Sequence, residues 1–178
     1  MVLKQADLDP LTINLTQRLF TPPPFESSVN ATFGNEITLL GYSLNATNEP
    51  GTYTLTLIWQ AEQLPATDYT MFVHLLQPDG SCTPCVWQQD SMPQQGQYPT
   101  TRWQIGEVVI DSYQIVIPAE TPPGIFPLEI GIYIAENGRR LQATLPNGTS
   151  SDALLLQPLT IDSYQLSIVI DFCHGITA

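Results

Sequence analysis

Apolar and polar residues alternate along most of the chain, in short runs. In residues 52–61, Tyr53, Leu55, Leu57 and Trp59 fall on one side. Thr52, Thr54, Thr56 and Gln60 fall on the other, with Ile58 interrupting the polar side. A period of two marks a strand with one buried and one wet face. Residues 69–76 are apolar on both sides, which predicts a strand in the middle of a sheet. The same reading places strands at 36–44, 52–61, 69–77, 86–89, 107–117, 126–135, 139–144, 153–161 and 164–171. Turn-forming residues separate most of them: Glu49-Pro50-Gly51, Pro78-Asp79-Gly80, Pro122-Pro123-Gly124, Glu136-Asn137-Gly138 and Pro146-Asn147-Gly148. Asn137-Gly138 predicts a tight hairpin with both residues at positive φ.

The expected fold is all-β: a single antiparallel β-sandwich, immunoglobulin-like or jelly-roll-like, of about eight or nine strands. Its expected extent is residues 29–162. Residues 1–28 form an irregular extended lead in which Thr21-Pro22-Pro23-Pro24 is a stiff segment. Residues 163–178 add an extra strand and a tail. Sixteen prolines leave few windows for helices and exclude a helical bundle. With 178 residues, 43% of them apolar, the chain can bury one core. Ile-Asp-Ser-Tyr-Gln occurs at 110–114 and again at 161–165, which reflects similar strand requirements rather than a repeat unit.

Charge narrows the partners. Five Lys and Arg face seventeen Asp and Glu, for a net −12. Such a surface repels phosphate, so neither nucleic acid nor anionic lipid is an expected partner. The plain role of the acidity is solubility. A calcium loop needs Asp-x-Asp-x-Asp-Gly, which the chain lacks. No cofactor is expected. The first twenty residues hold no basic segment followed by an apolar run, and no stretch of about 18 apolar residues occurs, so neither a signal peptide nor membrane insertion is expected. The chain is then either cytoplasmic or a piece of a longer protein. Its low Lys content and abundant Thr, Gln and Asn favour an exported domain. Four Asn-x-Thr sequons, at Asn14, Asn30, Asn45 and Asn147, point to exposed turns.

The three cysteines are Cys82, Cys85 and Cys173. Cys82-Thr83-Pro84-Cys85 admits three readings. A redox site wants its first Cys at a helix N-terminus in a βαβ context, whereas this one follows the turn Pro78-Asp79-Gly80. Zinc needs further ligands, and only Cys173, His74 and His174 remain, which leaves a mixed site as a weak alternative and no metal assigned. A local Cys82–Cys85 disulfide at a hairpin tip is the most economical reading, with the Cα atoms brought within about 4.4–6.8 Å by the bend at Pro84.

No catalytic constellation emerges. A nucleophilic Ser or Cys needs a His base, and the chain has two histidines. His74 reads as a packed, hydrogen-bonded core residue, and His174 sits near the C-terminus. Glycoside hydrolysis needs two carboxylates across a cleft, and seventeen acids make some such pair inevitable. Asp90, Glu107 and Asp111 are the acids to inspect, because they border the most unusual segment, residues 90–107. That long loop carries Tyr98, Arg102 and Trp103 among amide side chains. Rings that stack on a pyranose face, with amides and acids on its hydroxyls, would make a shallow glycan site of Asp90, Tyr98, Arg102, Trp103 and Glu107. The plainer reading, which is preferred, has Trp103 plugging one end of the sandwich and Arg102 pairing with a nearby acid.

Several pieces of the chain occur in a familiar order. They are Phe33-Gly34, Ile37-Thr38-Leu39-Leu40-Gly41-Tyr42, residues 54–59, Phe72-Val73-His74-Leu75, Pro78-Asp79-Gly80, Asp90 with Pro93, residues 98–111, Pro123-Gly124-Ile125-Phe126 and Gly131-Ile132-Tyr133. As an ordered set, over residues 30–159, they resemble the soluble C-terminal β-sandwich domain of bacterial integral-membrane glycosyltransferases of the dolichyl-phosphate-mannose or aminoarabinose-transferase type. The resemblance implies a non-catalytic, extracytoplasmic accessory or binding module that contacts glycan or the membrane glycosyltransferase itself. A structural or protein-interaction sandwich without a ligand is the alternative, and a carboxylate-dependent hydrolase the second. The Cys-Thr-Pro-Cys insertion and the tail from Ser163 depart from the family pattern.

Overall fold

The computed structural model describes residues 18–162. The second copy of the pentapeptide beyond Asp162, the strand expected at 164–171, Asn14, Cys173 and His174 lie outside them. The fold is an all-β sandwich of two antiparallel sheets. In chain order the strands are β1 (Ser27–Phe33), β2 (Ile37–Ala46), β3 (Thr52–Ala61), β4 (Thr70–Leu75), β5 (Trp87–Ser91), β6 (Val108–Val116), β7 (Gly124–Ile134), β8 (Arg139–Arg140), β9 (Ala143–Thr144), β10 (Ser150–Ser151) and β11 (Leu154–Ile161). One sheet runs β10-β9-β1-β2-β3-β6; the other runs β11-β7-β4-β5, with β8 continuing the edge of β7 beyond β11.

The alternation decides which side chains meet between the sheets. Leu55, Leu57 and Trp59 of β3 face Met71, Val73 and Leu75 of β4 and Leu128, Ile130 and Ile132 of β7 in one core, with Phe33 edge-on to Trp59 at 5.8 Å. β4 is an interior strand, as its two apolar sides require. The Tyr42 hydroxyl accepts a hydrogen bond from Gln157 N across the sandwich at 3.0 Å, where β11 bulges.

Three local features differ from the sequence reading. β1 is an additional strand; its bulky apolar residues are only Val29 and Phe33, and a bulge with Asn30 at φ 54 breaks its register. The single strand expected at 139–144 is two short pieces in different sheets. β8 pairs with β7 and β9 with β1, and Leu141 turns into the core between them. Gly34 makes room there, because a Cβ on it would lie 2.8 Å from Leu141 Cδ2. In the β7–β8 hairpin only Gly138, at φ 70, is left-handed. Four residues separate the paired Ile134 and Arg139, so one glycine closes the turn through its N–H to Ile134 O at 2.8 Å.

The described part of the lead segment, from Arg18 on, lies against the six-stranded sheet. Leu19 bridges to Val108 on the edge strand β6. Phe25 lies over Gly41 of β2, where any Cβ would collide with the Phe25 ring and the Ser27 carbonyl. Ile58 stands in register between Gly41 and Ile110 and is 2% exposed. The residue that interrupted the polar side of β3 is therefore part of a second, smaller apolar contact outside the main core.

Candidate functional site

The 92–107 loop is built around Glu107, which is 2% exposed. Its Oε1 accepts the Tyr98 hydroxyl at 2.7 Å, its Oε2 accepts Gln104 N at 2.8 Å, and it pairs with Arg18. Burial, then the bond to Glu107, pushes the Tyr98 phenol up to about 12. Arg18 also lies 5.9 Å from the Tyr98 ring centroid and donates to the Arg102 carbonyl at 2.9 Å. The 3-10 turn Thr100–Arg102 is clamped to the β3–β4 connection. There Thr100 Oγ1 accepts Tyr69 N and donates to Thr67 O, while Asp68 accepts the N–H and hydroxyl of Thr101. The acid on the other flank, Asp111, is 1% exposed and accepts Tyr113 O–H and Gln94 N; burial raises its pKa against those two bonds.

Trp103 is 1% exposed and lies in the main core, with its indole N–H on the Tyr98 carbonyl at 3.3 Å. It is a plug, and its faces are not available for stacking on a sugar. Arg102 does not make the ion pair expected of it: its side chain is exposed and has no acid partner among the described residues. Arg18 holds Glu107 instead, because the Leu19–Val108 bridge sets the two residues side by side. The cavity between Arg18, Tyr98, Glu107 and Ile110 measures about 120 Å³, below the roughly 300 Å³ at which small-molecule sites begin. Asp90 is not part of this cluster at all.

Asp90 belongs to the outward face of the five-stranded sheet. Register puts Phe72 opposite Asp90 on one side and Gly131 on the other; His74 lies opposite Gln88 and Glu129, and Tyr133 opposite Arg140. Val73, Leu75, Leu128, Ile130 and Ile132 alternate with these and point inward. His74 is therefore no core histidine. Its ring is partly exposed, Nε2 bonds Asp90 Oδ1 at 2.8 Å, and Nδ1 faces Glu129 Oε2 at 3.7 Å. Arg140 lies 3.9 Å from Glu129 and covers the Phe72 ring at 4.4 Å. The Phe72 ring in turn lies over Gly131, where a Cβ would collide with it. The pieces Phe72–Leu75, Asp90 and Gly131–Tyr133, apart in the chain, meet on this face. Glu129, Tyr133, Arg140 and Gln88 were missed as site residues, although the period of two in β7 already set Glu129 and Tyr133 against the inward Leu128 and Ile130.

Cys82 and Cys85 are disulfide-bonded in the turn between β4 and β5, with a cis Thr83–Pro84 peptide between them. Their Cα atoms are 3.9 Å apart, closer than the expected range, because only two residues span the bend. The turn folds back toward His74: the two sulfurs and a ring nitrogen of His74 lie within 4.8 Å of one another.

The charges around His74 predict a pH window. Glu129 first, then Asp90, favour the imidazolium and raise its pKa above the ordinary 6.5, against desolvation, which lowers it. His74 first, then Arg140, lower the Glu129 pKa below its ordinary 4.5. The Glu129 contribution to stability is complete above 4.5 and is lost as pH falls through the lowered value. The His74 contribution is complete below 6.5 and is lost as pH rises through the raised value. The difference in melting temperature between the wild type and His74→Gln should therefore be largest between pH 4.5 and 6.5 and shrink on either side. A pH-independent difference would show that packing alone is responsible.

Among the described residues no helix is long and apolar enough to cross a membrane. Comparison of the chain with known protein families, characterised proteins and solved structures gives no match.

Proposed function

We propose that this β-sandwich is a non-catalytic accessory or binding module on the extracytoplasmic side of a membrane, and that the outward face of its five-stranded sheet contacts glycan. The observation that carries the reading is a contrast between two regions. The ring and acid at the centre of the 92–107 loop, Trp103 and Glu107, are buried and bonded internally. On the sheet face Gln88, Asp90 and Arg140 are exposed and Tyr133 is partly so. A ring flanked by an amide, a carboxylate and a guanidinium on a flat surface can stack on a sugar face and bond its hydroxyls. The resemblance to membrane glycosyltransferase domains supports the same reading, since several of its pieces meet here, and it makes such a transferase the natural partner.

A glycan array followed by calorimetry tests this. The wild type should bind at least one sugar, and Tyr133→Ala and Arg140→Ala should each weaken binding about tenfold, or roughly 1.4 kcal/mol. Absence of any sugar ligand, or unchanged binding by both variants, would reduce the module to a structural or protein-interaction domain. Heat that continues after saturation, with shortened glycan recovered, would instead mark hydrolysis and point to Asp90 and Glu129, the acids on either side of His74.

A further inference from the structure

We infer that Cys82, Cys85 and His74 form a site for one zinc ion that the disulfide keeps closed and that reduction opens. The C-x-x-C spacing is that of paired zinc thiolates. Strand β4 supplies the third ligand from a rigid sheet position, and the three ligand atoms already lie within 4.8 Å of one another. With Zn–S near 2.3 Å and Zn–N near 2.0–2.1 Å, tetrahedral ligand atoms stand about 3.3–3.8 Å apart, so the nitrogen and sulfurs must close by on the order of 1 Å, while the two sulfurs, about 2 Å apart in any disulfide, must part by on the order of 2 Å once reduced.

Two features suit the environment to a metal. The turn has room to open, since Ser81, Thr83 and Pro84 are exposed and a Cβ on Gly80 would meet nothing within 4 Å. His74 has a carboxylate at each ring nitrogen: Asp90 at Nε2 and Glu129 at Nδ1. Whichever nitrogen turns to the ion, the other keeps an acid that fixes the ring and raises its basicity. Three protein ligands leave the fourth position to water, an open site rather than a closed structural one.

The chemistry balances with a dithiol as reductant. Two electrons and two protons pass from the dithiol to the Cys82–Cys85 bond, which becomes two thiols while the reductant becomes a cyclic disulfide. Zinc then replaces the two thiol protons, and the ring proton where His74 carries one, all of which are released, and binds two thiolates and a neutral imidazole. In an oxidising compartment the bond stands and the site is closed.

The test uses the full chain with Cys173→Ser, so that Cys82 and Cys85 are its sole cysteines. Reduced protein, freed of reductant under anaerobic conditions, is titrated with cobalt(II) and then with zinc. One cobalt per chain should bind, with thiolate-to-cobalt charge transfer and tetrahedral d–d bands, and one equivalent of zinc should displace it. The oxidised protein should show neither band and no free thiol. His74→Ala should keep the sulfur bands but weaken binding at least tenfold; His74→Gln removes the same ligand should the alanine variant fail to fold. No metal bound by the reduced parent, or equal affinity in the His74 variants and the parent, would overturn the proposal.

Discussion

Trp103→Ala should lower stability by about 3–5 kcal/mol, the cost of deleting a large aromatic from a packed core. Trp103 is 1% exposed in the main core, and the short turn Thr100–Arg102 that delivers it is pinned to the β3–β4 connection. The structure cannot collapse onto the vacated volume without pulling that turn away from Thr67 and Asp68. For a chain of this size each kcal/mol is worth roughly 2–4 °C, so a drop on the order of 10 °C in the thermal midpoint is expected. A change under about 1 kcal/mol would show that the loop closes over the gap and that Trp103 is not a plug. The variant is consequently unsuited to testing ligand binding, since a loss of binding would report a loss of fold.

Glu107→Ala should cost about 2–4 kcal/mol, because it leaves the Tyr98 hydroxyl and Gln104 N without their acceptors. The share owed to Arg18 is small, since that side chain is about a third exposed and can turn to water. Glu107→Gln should cost only about 1 kcal/mol: its carbonyl oxygen can accept Gln104 N while its amide donates to the Tyr98 oxygen. Urea midpoints at unchanged m-value measure the difference. Equal losses in the two variants would mean that the carboxylate charge, which both remove, holds the loop and that an amide of the same volume cannot replace its bonds. Tyr98 joins this cluster to Trp103 through its carbonyl, so the Trp103 and Glu107 effects should not add.

The core was legible in the sequence because alternation is a local property. Tyr53, Leu55, Leu57 and Trp59 in β3 announce their inward side without knowledge of any partner. The interior place of β4 follows in the same way from Phe72 and Met71 on opposite sides. The candidate face was not legible, since it depends on register between strands far apart in the chain. Nothing local pairs His74 with Glu129, or Phe72 with Gly131, and a lone His between Val73 and Leu75 looks like core. Arg18 was missed for a related reason. A residue next to a proline-rich segment gives no sign that it will reach Glu107, 89 positions away. In the loop the preferred reading already made Trp103 a plug, and the structure buries it; the partner of the acid was misassigned, since Arg102 stays exposed and Arg18 takes Glu107.

The hydrogen bond between Tyr42 and Gln157 joins positions 115 apart, and β1 waits for β9 across a similar interval. Such pairings are entropically late: the chain must close very long loops before these contacts return any free energy. Folding should therefore run in milliseconds to seconds rather than microseconds, with the β1 edge of each chain, later covered by β9, unpaired in the meantime. The net −12 takes on a second significance in that interval, since mutual repulsion between half-assembled chains keeps those edges from finding one another.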